Sequence, residues 1–166
     1  MRAARWVVVL AALVAAFVGY RWWNSPDRQI RRVLDDIATR LSHDQPVTGL
    51  AAVGALAGLQ DDFALDVVIE PGPPAMPLEG RDMLLAAAAR LVSATPSLRL
   101  DFADAQIAVG ADGTSARVAC SVTAQLRDTA GRETVDVREM MIEMRIENGR
   151  WVVQRATAVN AIEPVS

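Results

Sequence analysis

The chain has 166 residues, which is enough for one domain with a real core and a short additional element. Its formal net charge is −3 at pH 7, and its 17 basic residues are all arginine. Residues 1–23 hold three arginines and no acid, which leaves 14 arginines against 20 acids in the remainder. An acidic domain without a basic stripe argues against nucleic-acid binding, because that binding rests on neutralising phosphates. The single cysteine, Cys120, excludes an internal disulfide and a thiolate metal cluster within one chain.

An uninterrupted apolar run, WVVVLAALVAAFVGY, occupies residues 6–20. Arg2 and Arg5 precede it, and Arg21 and two tryptophans follow, which is typical of a membrane span with interfacial anchors. The alternative is a cleaved signal peptide, but no small-x-small cleavage site follows the run. The pattern therefore favours an uncleaved anchor over residues 1–23 that contacts the membrane through residues 6–23. By a strict count of positive charges, Arg21, Arg28, Arg31 and Arg32 after the run favour a domain in the cytoplasm. A short basic tail ahead of a single N-terminal span, however, commonly stays in the cytoplasm, so we expect a bacterial inner-membrane protein whose domain lies in the periplasm.

Two helices are predicted directly after this segment. Ser25 and Pro26 form a helix start, and the apolar spacing of the following residues predicts an amphipathic helix that ends near Ser42. A second, shorter helix is predicted over residues 50–59, although Gly54 and Gly58 weaken it.

The middle of the chain alternates strand, loop and helix. FALDVVIE (residues 63–70) is predicted as a strand, and PGPPAMPLEG (residues 71–80) as irregular because it has four prolines. Residues 81–95 are predicted as a helix with Leu84, Ala88 and Leu91 facing inward.

Four strands are predicted in the C-terminal half. The alternation changes phase at Ala103-Asp104 and again near Arg138-Glu139, which predicts a β-bulge at each place. Between them, a strand over residues 116–126 carries Cys120 on its apolar face, so we expect a buried, inert thiol. The last strand is predicted from Arg150 to about Ala161.

The stretch EMMIEMRIENGRWVVQ (residues 139–154) determines the fold class. With a period of two, Met140, Ile142, Met144 and Ile146 share one face, whereas a helix would place Ile142 and Ile146 among the glutamates. Asn148-Gly149 is the strongest short hairpin signal. The stretch is therefore predicted as strand, tight turn and strand, and its methionines as core residues.

This order of elements resembles the nuclear transport factor 2-like superfamily, also called SnoaL-like. The segments that carry the resemblance are LEGRDMLLAAAARL, DGTSARVACSVTAQL and ENGRWVVQRATAV, and the similar region covers about residues 27–160. The resemblance implies an α+β, cone-shaped fold over residues 24–166, in which a curved, mostly antiparallel sheet wraps about three helices. Such folds host enzymes, ligand binders and assembly subunits, including membrane-anchored subunits of type IV secretion.

The side chains that related enzymes use are scarce in this sequence. Members that resemble ketosteroid isomerase need a carboxylate and a tyrosine-type donor, but the only tyrosine, Tyr20, lies in the predicted anchor. Members that resemble scytalone dehydratase use histidines. The only histidine, His43, falls at the end of a helix, where we expect it to interact with the helix dipole and not to act as a catalytic base. We therefore predict no catalytic residue, no metal site and no cofactor.

A pocket inside the cone is nevertheless a hypothesis with defined residues. Asp66 lies in the middle of its strand, and Arg155 falls in the inward phase if Trp151 and Val153 point inward. A place on the solvated face is the alternative for both residues, and the acid pairs Asp35-Asp36 and Asp61-Asp62 are expected at the surface. The predicted lining of the pocket is Phe63, Asp66, Phe102, Met140, Met144, Trp151 and Arg155.

Two functional hypotheses follow. The first is a single-pass membrane-anchored, non-enzymatic domain that binds a ligand or assembles with protein. Its expected partners are a second copy, bound through the outer sheet face, or another membrane protein. The second is a small SnoaL-like isomerase, dehydratase or cyclase that acts on an apolar substrate in the cone.

Overall fold

The computed structural model describes residues 25–45, 47, 50–73 and 75–159. In these residues it has three α-helices and one six-stranded sheet. The helices are α1 (Pro26–Leu41), α2 (Leu50–Leu59) and α3 (Arg81–Ala94), and a short 3-10 turn, Gln60–Asp62, follows α2. The strands are β1 (Phe63–Glu70), β2 (Leu78–Glu79), β3 (Ser97–Val109), β4 (Ser115–Arg127), β5 (Glu133–Glu147) and β6 (Arg150–Ala158). The predicted α+β class is confirmed.

Helix α1 is the amphipathic element that the sequence predicts. Pro26 occupies the first helical position, where its missing N–H removes no hydrogen bond. The carbonyl of Ser25 accepts hydrogen bonds from the N–H groups of Arg28 and Gln29, although the serine side chain makes no capping bond. Ile30, Leu34 and Ile37 form its buried stripe. This stripe belongs to the core that holds α1 in place.

The sheet is a meander that closes back on its first strand. Its strands lie in the order β2-β1-β6-β5-β4-β3, and the pairs along β3, β4, β5 and β6 are antiparallel. β1 runs parallel to β6 and antiparallel to the two-residue β2. The prediction that residues 71–80 lack regular structure is wrong at their end, because Leu78 and Glu79 pair with Ile69 and Val68.

The strand interpretation of residues 139–154 is confirmed. The even-numbered residues from Met140 to Ile146 face the core, where Ile142 and Met144 are buried. Asn148 and Gly149 both have positive φ, as a type I′ turn requires. Trp151 is buried on the return strand. We call this face of the sheet the inner face and the opposite one the outer face.

One predicted bulge is confirmed and the other is misplaced. The β3–β4 register shifts after Ala103, next to Asp104, which has a positive φ. By contrast, β5 pairs with β4 without a shift from Glu133 to Arg145, so no bulge lies near Arg138-Glu139. The predicted change of phase would place Val135 and Val137 on the same face as Met140 and Ile142. These two valines lie on the outer face, where both side chains are exposed.

The inward face of α3 is also shifted from the prediction. Ala88 is buried and Leu84 packs against the core, but Leu91 is 41% exposed and Val92 is buried in its place. The buried positions therefore recur at intervals of four along this helix, and an interval of three would have selected Leu91.

Side chains from both layers form one buried cluster between the helices and the inner face. α1 contributes Ile30 and Leu34, and the sheet contributes Val118, Ile142 and Met144. Cys120 belongs to the same cluster, and burial raises the pKa of its thiol to about 11. The predicted burial of this cysteine is confirmed.

No helix in the described part of the chain is long and apolar enough to cross a membrane. The predicted anchor falls in residues 1–24, which lie outside the described residues.

Substitution of the two methionines on opposite faces of β5 tests this arrangement. Met144 is 2% exposed and Met141 is 37% exposed. Met144→Asp should leave the domain largely unfolded, because an unpaired buried carboxylate costs several kcal/mol against a total stability of about 5–15 kcal/mol. Met141→Asp should change stability by less than about 0.5 kcal/mol, as surface substitutions usually do. Thermal melts followed by circular dichroism measure the stability of both variants. An equal loss of stability in the two variants would contradict the register of β5.

Candidate functional site

Five of the seven predicted pocket residues lie in or against the core. Phe63, Met144 and Trp151 belong to the buried cluster, and Phe102 and Met140 pack against it. The structure therefore brings these five apolar side chains together on the inner side of the sheet. They contribute to the packing between the two layers.

Asp66 and Arg155 lie on the other side of the sheet. Nη2 of Arg145 donates to Oδ1 of Asp66 at 2.6 Å, and Nη1 of Arg155 donates to Oε1 of Glu70 at 3.1 Å. Hydrogen bonds from Arg145 lower the pKa of Asp66, so this carboxylate is ionised and paired. Neither side chain faces the five apolar residues.

The inward phase predicted for Arg155 is wrong because β6 contains a bulge. Val153 pairs with Met144, but Arg155 pairs with Glu143, so Gln154 is an extra residue in the ladder. One inserted residue reverses the alternation, since side chains in a strand have a period of two. Arg155 is therefore exposed on the outer face, and the next residue, Ala156, is buried.

His43 connects three elements at one end of the sheet. Its Nδ1 lies 3.1 Å from the carbonyl oxygen of Leu41, and its Nε2 lies 2.9 Å from that of Thr95. A neutral ring donates to only one of these carbonyls at a time. The backbone of His43 also exchanges two hydrogen bonds with Leu98. The ring therefore connects the ends of α1 and α3, and the backbone of His43 connects them to the start of β3.

A buried carboxylate, Asp62, is a feature that the sequence analysis missed. Asp62 was expected at the surface with Asp61, but its side chain is almost completely buried, and its Oδ2 has no hydrogen-bond partner among the described residues. Nε of Arg40 and Nη2 of Arg150 lie 3.9 Å from its two oxygens, which is beyond hydrogen-bonding distance. Burial raises the pKa of Asp62, and the two arginines oppose that change.

Gly58 makes room for this arrangement. A Cβ at Gly58 would lie 1.6 Å from Nη1 of Arg40, so the missing side chain lets the guanidinium pass close to α2. The glycine that weakens α2 as a helix thus allows the contact between α1 and Asp62. The only sign of this contact in the sequence is a glycine in a short helix, close to two consecutive aspartates.

Among the described residues, no group of three or more histidine, cysteine or acidic side chains could hold a metal ion. A depression of about 410 Å³ opens near the β3–β4 turn and is lined by Val109, Arg117, Glu143 and Gln154, among others. Met144 also lines it, but the other six predicted pocket residues do not.

The outer face of β5 carries exposed apolar side chains. Val135 and Val137 are 60% and 59% exposed, and Met141 lies further along the same face, beyond Glu139, which accepts a hydrogen bond from the hydroxyl of Ser121. The β4 residues opposite all three, Gln125, Thr123 and Ala119, are uncharged. Elsewhere the outer face is covered by ion pairs, such as those between Arg117 and Glu143 and between Arg145 and Asp66. We call Val135, Val137 and Met141 the valine strip.

The chain resembles known proteins over most of its length. The model of the SnoaL-like domain matches residues 44–154. The comparison with curated proteins found no significant match.

Three solved structures illustrate the similarity. A provisionally assigned scytalone dehydratase from Novosphingobium aromaticivorans is 18% identical, with 81% of this chain and 83% of that chain covered and a TM-score of 0.66. A provisionally assigned calcium/calmodulin-dependent protein kinase II association domain from Xanthomonas campestris is 16% identical, with 85% and 91% covered and a TM-score of 0.65. A protein of unknown function with a cystatin-like fold from Nostoc punctiforme is 12% identical, with 80% and 88% covered and a TM-score of 0.60. At these identities the similarity shows the fold alone.

Replacement of the buried carboxylate should reveal its effect on folding. Because the pKa of Asp62 is higher in the folded state, its ionisation opposes folding above that pKa, and this effect disappears as the pH falls. Asp62→Asn should therefore melt at a higher temperature than the parent at pH 7, and this difference in Tm should vanish toward about pH 4, near the ordinary pKa of an aspartate.

Asp61→Asn is the matched control, since Asp61 is exposed and pairs with the same Arg150. Its Tm should follow the parent across the same pH range. If Asp62→Asn instead destabilised the protein most at pH 7, attraction by the arginines would outweigh burial.

Proposed function

The chain belongs to the SnoaL-like domain family, and we propose that it is a membrane-tethered, non-enzymatic assembly domain that self-associates through the valine strip. The observation that carries this proposal is the exposure of Val135 and Val137 on a face that carries ion pairs elsewhere, such as those of Arg145 with Asp66 and of Arg155 with Glu70. An exposed apolar patch with a polar surround is typical of a protein interaction site.

The positions of the polar side chains support assembly over catalysis. An isomerase, dehydratase or cyclase needs acid–base groups next to the substrate. The two groups considered for that role, Asp66 and Arg155, pair on the outer face with Arg145 and Glu70. The side chains on the inner face pack together with those of the helices.

The membrane anchor is part of the proposal because of the apolar run at residues 6–20. α1 begins at Pro26, three residues after the predicted span ends at residue 23, so the domain would lie close to the bilayer. We place it on the periplasmic side of a bacterial inner membrane, since a short basic tail ahead of a single N-terminal span commonly stays in the cytoplasm.

Charge placed in the valine strip should abolish self-association. The full chain in detergent should have the mass of a dimer by light scattering, once the detergent contribution is removed. The double variant Val135→Glu/Val137→Glu should have the mass of a monomer and an unchanged circular dichroism spectrum, because charged groups at the centre of an interface lose their hydration. Leu65→Glu is the control, since Leu65 is 67% exposed but lies on β1.

A monomeric parent protein would contradict self-association. Dissociation by Leu65→Glu as readily as by the double variant would place the contact elsewhere. Catalytic turnover by the purified chain that is lost when Asp66 or Arg155 is replaced would overturn the non-enzymatic assignment.

The membrane anchor is tested separately. The mature protein should retain Met1 or Arg2 and stay in the membrane pellet after carbonate extraction, because an uncleaved span is held by the hydrophobic effect. N-terminal sequencing that begins after Trp23 would show a cleaved signal peptide. A C-terminal reporter that is active only in the cytoplasm would reverse the orientation and leave the anchor in place.

A further inference from the structure

Strand β5 extends beyond its neighbour β6. The two strands pair from Glu147 and Arg150 to Met140 and Ala158, and the last contact is a hydrogen bond from the N–H of Val159 to the carbonyl of Glu139. β5 continues to Glu133, and β4 pairs with it along this whole extension. In the part of the chain that the structure describes, no strand pairs with the other edge of residues 133–138. We call this edge the open edge.

The groups that point into the open edge follow from strand geometry. The carbonyl of Glu139 points toward β6, because it accepts the hydrogen bond from Val159. The amide and carbonyl of one strand residue point to the same side, and the side alternates along the strand. Glu133, Val135 and Val137 therefore direct their amide and carbonyl groups into the open edge, and their side chains are exposed.

We propose that a second copy of the chain adds its own open edge to this one, antiparallel, about a two-fold axis at Val135. The two sheets then continue into each other through backbone hydrogen bonds, which is a known mode of strand addition. This inference rests on the self-association proposed above and specifies its geometry and register.

The choice of register follows from the neighbouring residues. A two-fold axis perpendicular to the sheet keeps both outer faces on one side, so odd-numbered residues must oppose odd-numbered residues. With the axis at Val135, Glu133 opposes the partner's Val137, and the amide and carbonyl groups of Glu133, Val135 and Val137 all gain partners. Thr134 then opposes the partner's Asp136, so its hydroxyl can donate to that carboxylate.

The other registers are less favourable. An axis at Asp136 places two carboxylates directly opposite each other, which is destabilising. An axis at Val137 requires Glu139, whose carbonyl already accepts the hydrogen bond from Val159. An axis at Thr134 brings Val137 opposite Gly131, which lies in a turn closed by its own hydrogen bond to Asp128.

Disulfide cross-linking of the full chain in detergent tests the register. At the two-fold axis, the two Cα atoms of residue 135 would lie about 5.5 Å apart, within the range that a disulfide spans. The two copies of residue 137 would lie about 14 Å apart, at about 3.4 Å per strand residue. Cys120 does not compete, because it is buried with a pKa of about 11.

Val135→Cys should therefore give mainly disulfide-linked dimers on a non-reducing gel after mild oxidation, and Val137→Cys should stay monomeric on the same gel. The two positions are equally exposed, so Val137→Cys is a matched control. A mixture of Val137→Cys and Glu133→Cys should give mixed disulfide dimers, because the register places these residues opposite each other.

The outcomes separate this inference from the proposed function. If the parent is a dimer by light scattering but Val135→Cys does not cross-link, or if both single variants cross-link equally, the edge geometry is wrong and self-association stands. If the parent is a monomer, self-association fails and the edge inference fails with it.

Discussion

The uninterrupted pairing of β5 with β4 is the constraint on which the rest of the structure depends. From Glu133 to Arg145 the register does not shift, so each residue of β5 is assigned to a face by its number alone. The inner face is specified by Ile142 and Met144, which are buried in the same cluster as Ile30 and Leu34 of α1. Once these side chains are buried, Met141 must lie outside, because side chains in a strand alternate.

The same constraint explains the exposed valines. Val135 and Val137 lie several residues beyond the part of β5 that the helices cover, yet they keep the outer phase that Met144 imposes through the continuous ladder. A local rule that valine points inward fails here, because the phase is set by the buried end of the strand. The exposure of these valines is thus a consequence of burial elsewhere.

Single-residue insertions redirect polar groups in this sheet. Gln154 adds one residue to β6, so Arg155 lies on the outer face beside Glu70, and Val153 and Ala156 remain buried. The inner side consequently holds mainly apolar side chains. Asp62 departs from this separation, because its carboxylate is buried at the start of β1 and Arg40 reaches it over Gly58. Arginine and carboxylate lie too far apart there for a hydrogen bond, so burial dominates the pKa of Asp62.

The sequence by itself determined the order of the helices and of every strand except β2, the hairpin at Asn148-Gly149, the bulge at Asp104 and the burial of Met144, because these depend on local periodicity and turn chemistry. It also identified five apolar residues that gather on the inner side of the sheet. Only the tertiary structure decided the faces of Arg155, Val135 and Val137, the burial of Asp62 and the difference in length between β5 and β6. Each of these depends on which strand lies alongside and where its register shifts, and a one-dimensional pattern does not contain that pairing.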